Sequence, residues 1–514
     1  MRERHLCGTV PTIVADDIGT SALSASPERL AQPSALDGRH TEVMRSLVVV
    51  VAAAGVLAFS GCAGSAPASR GAAAFARSVV REATPTASSA PKRARATREL
   101  IGVESPFSGG QTRLAQLDPT TLRPLSGHSS TLPDYPTQYI VSPDGNTLAL
   151  GGENGEVYLA DLARLGRSNV VRRAFPGHQP GYPSAFPISW PAPSRLVVIE
   201  QPEAAHVSTP ATLIWVDPQT RRVTRLRHLH RSVIAAATTT AGIAVLLLGP
   251  RDLASIGPTE LVEVTRGGHL RTRSLPTVRA GFVDPGNVGS AAVSPGLTVG
   301  GGRLYVSSRS VIVSGTLSDL HLSAHHVPNL LAAHYLAFTS TNDGSAGALA
   351  HHDRTVSILS KHRLLVAGDD TVAIDRGRRL RTVVAKTTIV DTRRWRVSHV
   401  LPRLTSPVAE HPEIIGSFTD RRGRQIGVTG YRADGQLAFS TRLTETQNFW
   451  WTDHQLTTYS MIGPPRAVLL NPTTGHVVRS VHPLAGAYPF PLITWTPGHR
   501  HTAAPSNATS EYTL

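Results

Sequence analysis

Length, composition and charge narrow the class of protein at once. The chain has 514 residues, 40% of them hydrophobic and 17% charged, which suffices for a large core and exceeds one small domain. Its 44 glycines and 38 prolines are spread along the chain and favour short strands over long helices.

The net charge of +15 comes almost entirely from arginine. No basic-aromatic recognition module accompanies it, so we do not expect nucleic-acid binding. We attribute the arginine to codon usage, the alternative being an anionic partner.

A short apolar run, residues 47–59, follows Met44, Arg45 and Ser46 and ends in small residues. A basic start, a short apolar segment and a small-residue break are typical of a secretory signal peptide, which we place at residues 44–61. The run is too short to span a bilayer comfortably. Because signal peptides begin at the initiator, we interpret residues 1–43 as an over-long gene model. The alternative is a disordered tail before an uncleaved anchor.

The end of this segment, Phe59-Ser60-Gly61-Cys62, resembles the lipobox of bacterial lipoproteins. Phe59 stands where that motif usually has Leu, Val or Ile. The resemblance implies that Cys62 becomes the mature N-terminus and carries a lipid such as palmitate. It also implies a lipid-anchored protein on the extracytoplasmic face of the cell membrane.

Residues 62–98 are rich in Ala, Ser, Pro, Thr and Arg without an apolar period, which indicates a disordered basic tether. As a flexible coil it would hold its cargo roughly 30–35 Å from the anchor. Its arginines either lie on anionic headgroups or keep the linker solvated.

Cys7 and Cys62 are the only cysteines, so the remaining chain has no thiolate metal site. We expect residues 498–514 to be a disordered tail.

Residues 139–161, YIVSPDGNTLALGGENGEVYLAD, show the pattern of the main domain most clearly. Pro143 and Gly145 suit a tight turn between two apolar strands, and Asn154-Gly155 reverses the chain again into a third strand. Such a meander is marginal alone and becomes stable when several copies stack.

A second marker, an apolar strand followed by Asp or Asn and often by Pro and Thr, recurs along the chain. It occurs at Asp118, Asp217, Asp391 and Asn471, with looser copies at Asp161 and at Val264–Gly268. Successive copies between residues 117 and 264 lie about 40–55 residues apart. Four strands and their loops need about that length in a propeller blade.

These repeats predict an all-β fold, a single β-propeller spanning residues 99–497. We assign blades near 138–176, 186–230, 231–277, 288–328, 334–403 and 411–482, and residues 99–125 and 488–495 remain at the two ends. A ring leaves no unpaired edge when strands from both termini share one blade. We therefore predict about seven blades, with six or eight also compatible, closed by strands from both termini.

The SPDGNTLAL repeat followed by a strand ending in Asp resembles WD40-like and TolB-type β-propellers, and the VDPQT and LNPTTG turns resemble YVTN/NHL/PQQ-type repeats. The Trp-Asp dipeptide of true WD40 repeats is missing. The resemblance implies a bacterial extracytoplasmic propeller and says little about function, since propellers host unrelated activities.

Residues 444–466 are predicted to form a long loop between the second and third strands of the last blade, on the face where propellers usually bind ligands. The candidate binding residues of this loop are Phe449, Trp450, Trp451, Asp453, His454 and Tyr459. Trp and Tyr are good contact residues at interfaces. The alternative is that the loop covers the mouth of the channel and simply buries its rings.

Histidines cluster at His321, His325 and His326, and again at His351 and His352. On a helix, the spacing of His321 and His325 would suit a metal site. The segment reads as strand and loop, where that spacing does not converge, so we predict no metal site.

No nucleophile elbow, P-loop or dinucleotide fingerprint appears in the chain. We therefore expect a monomeric, non-catalytic binding or assembly module without a cofactor, anchored to the membrane through Cys62, with a protein or cell-envelope ligand on its loop face. The alternative is an extracytoplasmic propeller enzyme, lactonase-like or quinone-dependent dehydrogenase-like, with its site in the central channel.

Overall fold

The computed structural model describes residues 98–496. The description leaves out residues 107–110, 134–135, 153, 168–170, 178–182, 203–209, 252–255, 284–290, 331–335, 340–349, 369, 373–379, 384–386, 403, 405, 410–412, 420–424, 444–445, 453–454, 461–465 and 482–486. The predicted signal peptide, Cys62, the tether and the C-terminal tail lie outside the described residues. Within the described part, no helix is long and apolar enough to cross a membrane.

The described residues form eight four-stranded antiparallel blades, one of them extended by further strands. Blade 1 begins with β1 (Glu99–Pro106), β2 (Arg113–Leu117) and β3 (Pro124–Thr131). Blade 2 comprises β4 (Pro136–Val141), β5 (Thr147–Gly152), β6 (Val157–Asp161) and β7 (Val171–Phe175), with a short 3-10 helix at Leu162–Arg164. Blade 3 comprises β8 (Pro183–Ala192), β9 (Arg195–Pro202), β10 (Thr212–Asp217) and β11 (Arg222–His228).

Blade 4 comprises β12 (Val233–Thr238), β13 (Ala244–Leu248), β14 (Gly257–Val264) and β15 (Leu270–Val283), and β16 (Ala291–Ser294) follows it. Blade 5 comprises β17 (Gly296–Gly300), β18 (Arg303–Ser308), β19 (Val311–Thr316) and β20 (Leu322–His326), and β21 (Leu336–Thr339) and β22 (Ala350–Asp353) follow it. Blade 6 comprises β23 (Thr355–Ser360) and β24 (Arg363–Ala367), then, after β25 (Asp370–Val372) and β26 (Leu380–Val383), β27 (Thr387–Asp391) and β28 (Arg396–Leu401).

Blade 7 comprises β29 (Ser406–Ala409), β30 (Glu413–Thr419), β31 (Gln425–Arg432) and β32 (Leu437–Arg442). Blade 8 comprises β33 (Thr446–Thr452), β34 (Gln455–Ser460), β35 (Arg466–Leu470) and β36 (Val477–Val481). The last strand, β37 (Ala487–Trp495), returns to blade 1 as its innermost strand.

The single all-β propeller is confirmed, with eight blades rather than seven, inside the predicted range of six to eight. The extra blade comes from residues 411–482, which we expected to form one blade and which belong to two, β29–β32 and β33–β36. The turn at residues 433–435 joins the third and fourth strands of blade 7.

Closure by both chain ends is confirmed. β37 pairs antiparallel with β1 along its length, from Glu99 opposite Trp495 to Pro106 opposite Ala487. The indole Nε1 of Trp495 also donates a hydrogen bond of 2.8 Å to the carbonyl of Gly145 in blade 2. The C-terminal strand therefore joins the first two blades.

Apolar side chains pack between neighbouring blades rather than around one centre. Leu213, Trp215, Leu246 and Val262, for example, form a buried cluster between blades 3 and 4. Each blade is stable only against its neighbours, as expected of a repeat fold.

The turn of the opening repeat has the predicted geometry. The Gly145 amide donates to the Ser142 carbonyl at 2.9 Å, and Gly145 takes a φ of 77°, which glycine adopts without steric cost. Asp144 accepts hydrogen bonds from the Ser142 hydroxyl and the Asn146 amide. Although burial opposes them, these bonds hold the pKa of the Asp144 carboxyl below its usual value.

The two faces of the ring differ. Strands within a blade alternate in direction, so loops that join the second to the third strand share a face with loops that join one blade to the next. We call this the insertion face, because the three segments that depart from the four-stranded repeat leave the blades there. They lie between β15 and β17, between β20 and β23, and between β24 and β27.

Candidate functional site

The wall of the central channel carries none of the five charged residue types among the described strand residues. The eight innermost strands are β37, β4, β8, β12, β17, β23, β29 and β33, one per blade. Their sequences contain no Asp, Glu, His, Lys or Arg. General acid–base catalysis and metal binding depend mostly on such side chains. The titratable residues in these strand sequences are Tyr139 and Tyr488.

The predicted aromatic loop at residues 444–466 is wrong as a loop. Phe449, Trp450 and Trp451 lie on β33, the innermost strand of blade 8, and Tyr459 lies on its neighbour β34. Trp450 is opposite Thr457 and Trp451 is opposite Leu456 in the antiparallel register. Bulky β-formers favour a strand here.

The remaining two candidates of that set, Asp453 and His454, lie outside the described residues. The register of β33 and β34 brings Trp451 and Tyr459 into one blade and says nothing about a ligand. The role of these six residues in binding stays a prediction.

The insertion face carries a satellite sheet made of β16, β22, β25, β26 and β21, attached to the end of β15. Gly281–Val283 of β15 pair antiparallel with β16, which pairs parallel with β22. Strand β22 then pairs with β25, β25 with β26, and β26 with β21. Three segments far apart in the chain thus build one structure beside blades 4, 5 and 6.

Blades 3 and 4 are joined near the insertion face by a buried side-chain amide. Gln201 at the end of β9 donates its Nε2 to the carbonyl of Val233, and its Oε1 accepts the Val233 amide hydrogen, both at 3.0 Å. Gln201 is only 5% exposed. It binds the backbone of the first residue of β12 and so connects the two blades.

A charged clamp lies beside this contact. Arg231 donates to the carbonyls of Gly249 and Pro258, at 3.2 and 3.3 Å, and lies 3.7 Å from the Glu260 carboxylate. His230 Nε2 lies 3.0 Å from the same carboxylate. The clamp ties the loop between blades 3 and 4 to the start of β14, which positions the insertion face.

Within the described residues, no group of three or more His, Cys, Asp or Glu side chains is placed to hold a metal ion. His325 lies on β20, as the strand interpretation required. Its ring stacks on Trp395 with 3.5 Å between ring centroids and lies 3.1 Å from the Ser314 hydroxyl. Burial lowers the pKa of His325. These contacts give His325 a packing role between blades 5 and 6.

Sequence reasoning missed two arginines that connect neighbouring blades, one between blades 3 and 4 and one between blades 4 and 5. Arg225 of blade 3 donates to the carbonyl of Gly268 in blade 4 and lies 5.0 Å from the centre of the Trp215 ring. Arg271 of blade 4 donates to the carbonyls of Leu317 and Ser318 in blade 5. In both cases the acceptor is the turn before the outermost strand of the next blade. Spacing alone could not reveal these contacts.

No protein-family model matches the chain, and no curated protein is similar to it in sequence. Among solved structures, the chain is similar to apo AztD from Citrobacter koseri, with 9% identity and a TM-score of 0.41 over 77% of this chain and 98% of that one. It is also similar to BamB from Moraxella catarrhalis, with 13% identity and a TM-score of 0.40 over 71% of this chain and 90% of that one. A third similar structure is the dihydro-heme d1 dehydrogenase NirN, with 12% identity and a TM-score of 0.45 over 78% of each chain. At these identities the similarity concerns the fold alone.

Proposed function

We propose that this protein is a non-catalytic binding module, an eight-bladed propeller held on the extracytoplasmic face of a cell membrane by a lipid on Cys62. One observation carries the non-catalytic part of the proposal. The innermost strands of all eight blades, as far as the structure describes them, lack carboxylates, imidazoles and amines. A lactonase-like or quinone-dependent site would draw its ligands and bases from that wall.

The satellite sheet supports a binding role. The ring closes through β1 and β37 without any of the strands β16, β21, β22, β25 and β26. Ordering these strands and their connections costs conformational entropy, yet the closure of the ring gains nothing from them. Function in repeat folds resides where copies depart from the repeat, because the scaffold itself is generic.

The insertion face can be tested with in situ crosslinking of the full chain. One variant replaces residues 369–386, which contain β25 and β26, by a short turn. Thr473→Ala/Thr474→Ala, at exposed positions in a turn on the opposite face, is the matched control. We expect a crosslinked component that the wild type and the control retain and that the replacement variant loses. If the replacement variant keeps the same component in the same amount, the insertion face is not the binding surface.

The anchor is tested separately by Cys62→Ser. Without the thiol no thioether to a lipid can form, so we expect the protein to leave the membrane fraction for the soluble extracytoplasmic fraction. Mass spectrometry of the wild-type N-terminal peptide provides the positive measurement, a lipid-modified Cys62. Unchanged membrane retention of the serine variant would show that another element holds the protein.

A further inference from the structure

Charge is partitioned across each blade. The outermost strands of the eight blades are β3, β7, β11, β15, β20, β28, β32 and β36. These strands contain eleven arginines and no Asp, Glu or Lys. The outer wall of the ring is therefore cationic, whereas the wall of the channel is uncharged.

The arginines are concentrated on one arc. Eight of the eleven lie on β7, β11 and β15, the outermost strands of the consecutive blades 2, 3 and 4. The other five outermost strands carry one arginine each or none. Codon usage explains why arginine replaces lysine, but it accounts neither for this clustering nor for the exclusion of acids.

Four of the eight arginines have structural contacts. Arg173 pairs with Glu156 at 2.9 Å, Arg225 and Arg271 connect their blades to the next ones, and Arg279 donates to the Ile256 carbonyl at 2.8 Å. The other four are exposed, and we call them the basic rim. They are Arg172, Arg222, Arg227 and Arg273.

Several nearby carboxylates already have cationic partners: Glu263 is buried and pairs with Arg271, Glu156 pairs with Arg173, and Glu260 pairs with Arg231. Asp217 lies opposite Arg222 in the register of β10 and β11, and Asp319 lines the same cleft as Arg273, so the arc has an excess of positive charge beside a few acids. Protection of edge strands against aggregation does not account for the pattern either, because a charge of either sign or a proline serves that purpose. An arc with such an excess of arginine points to an anionic surface as its partner.

We propose that the basic rim docks on the anionic phospholipid headgroups of the membrane that carries the anchor. The outermost strands of three adjacent blades form a broad outer wall, which suits a lipid surface better than a linear polymer. Guanidinium groups bind phosphate oxygens in bidentate geometry. The ring would then stand on its edge against the bilayer, with the insertion face open to the side. The choice of this particular membrane rests on the proposed lipid anchor. The affinity of the basic rim for anionic lipid is independent of the anchor.

Sedimentation with lipid vesicles tests the rim apart from the anchor. The fragment 98–514 lacks Cys62 and the tether but keeps every strand of all eight blades. We expect it to bind vesicles that contain phosphatidylglycerol, to ignore vesicles of phosphatidylcholine alone, and to be released by high salt.

Two double variants with equal loss of charge locate the contact. Arg222→Gln/Arg273→Gln removes rim arginines of blades 3 and 4, whereas Arg442→Gln/Arg479→Gln removes exposed arginines of blades 7 and 8, across the ring. We expect the first pair to weaken vesicle binding roughly 30-fold, since each arginine at an anionic surface contributes about 1 kcal/mol and 1.4 kcal/mol is a factor of ten. The second pair should leave binding unchanged.

Three results would overturn the proposal. Equal losses in both double variants would mean that only net charge matters. Failure to bind anionic vesicles would contradict a lipid surface outright, and so would binding to a soluble polyanion without binding to vesicles. Thermal unfolding of each variant confirms that the fold is intact. Loss of the anchor in the Cys62→Ser variant affects none of these measurements.

Discussion

At the scale of single residues, one turn chemistry repeats around the ring. The Oδ1 atom of Asp118 accepts the amide hydrogens of Thr120 and Thr121, at 2.8 and 2.7 Å. Asn471 does the same for Thr473 and Thr474, at 2.9 and 3.1 Å. The side chain satisfies backbone donors that the turn leaves unpaired, which is why Asp and Asn occupy this position.

Four residues after each capping side chain, the backbone enters the left-handed region. Leu122 has a φ of 56°, Arg221 of 57° and Trp395 of 49°, whereas Gly475 takes 69° without penalty. A non-glycine residue there costs free energy that the surrounding bonds must offset. The capping side chain is therefore structurally necessary in the copies that lack glycine.

Replacing the cap of blade 1 should show this directly. We expect Asp118→Ala to lower the free energy of unfolding by about 1 kcal/mol, because backbone donors lose their acceptor. Asp118→Asn keeps an acceptor oxygen and should retain most of the stability. Urea unfolding of both variants at neutral pH provides the comparison, and equal stabilities for Ala and Asn would contradict the capping role.

The same cap predicts a pH dependence. Hydrogen bonds from the Thr120 side chain and the backbone hold the pKa of Asp118 at about 2, below its ordinary value of 3.8. A lowered pKa stabilises the fold above pH 3.8, and this contribution disappears as the pH falls through about 2. The stability difference between wild type and Asp118→Ala should therefore shrink across that window, as followed by acid titration of circular dichroism.

At the scale of elements, the stability of each blade depends on contacts with the next one. Arg271 on β15 pairs with Glu263 on β14, whose side chain is only 2% exposed, and donates to the turn of blade 5. Removing one partner of a buried ion pair leaves the other charge without compensation.

We expect Arg271→Gln to destabilise the protein by about 3 kcal/mol, because the Glu263 carboxylate stays buried without its cation. Arg273→Gln is the matched control, two residues along the same strand and exposed, and it should change stability little. Denaturant unfolding of both variants measures the difference. Equal effects of the two substitutions would show that the contact between blades 4 and 5 does not contribute to stability.

The sequence predicted strands and turns best where the residues of the turn have a clear physical role. The hairpin around Gly145 and the turns at Asp118, Asp217 and Asn471 were readable, because turn residues there have a local physical role. Residues 411–482 were read as one blade because β29 is only four residues long and the turn at residues 433–435 resembles a first hairpin. A local pattern does not show which pair of strands a turn connects.

At the scale of the whole molecule, the features that the sequence did not predict depend on pairing between strands that are far apart in the chain. Closure by both termini was predictable, since an open ring leaves two unpaired edges. The satellite sheet was not, because β16, β22, β25 and β21 come from separate insertions without a shared local pattern. The cationic outer wall was also visible only after each strand had its place in a blade.

The architecture separates three regions by chemistry. The innermost strands are uncharged in every blade that the structure describes, the outermost strands are cationic and free of acids, and the insertions leave from one face. This partition is the basis of our proposal that the propeller binds through its surfaces.

Elemental analysis and an absorption spectrum of the full chain, purified from the membranes of the cell that produces it and then dialysed, test this claim most directly. We predict no metal in stoichiometric amount and no visible absorption, since the innermost strands offer neither carboxylate nor imidazole to retain a metal or redox cofactor. One equivalent of a metal ion or chromophore that survives dialysis would contradict the account.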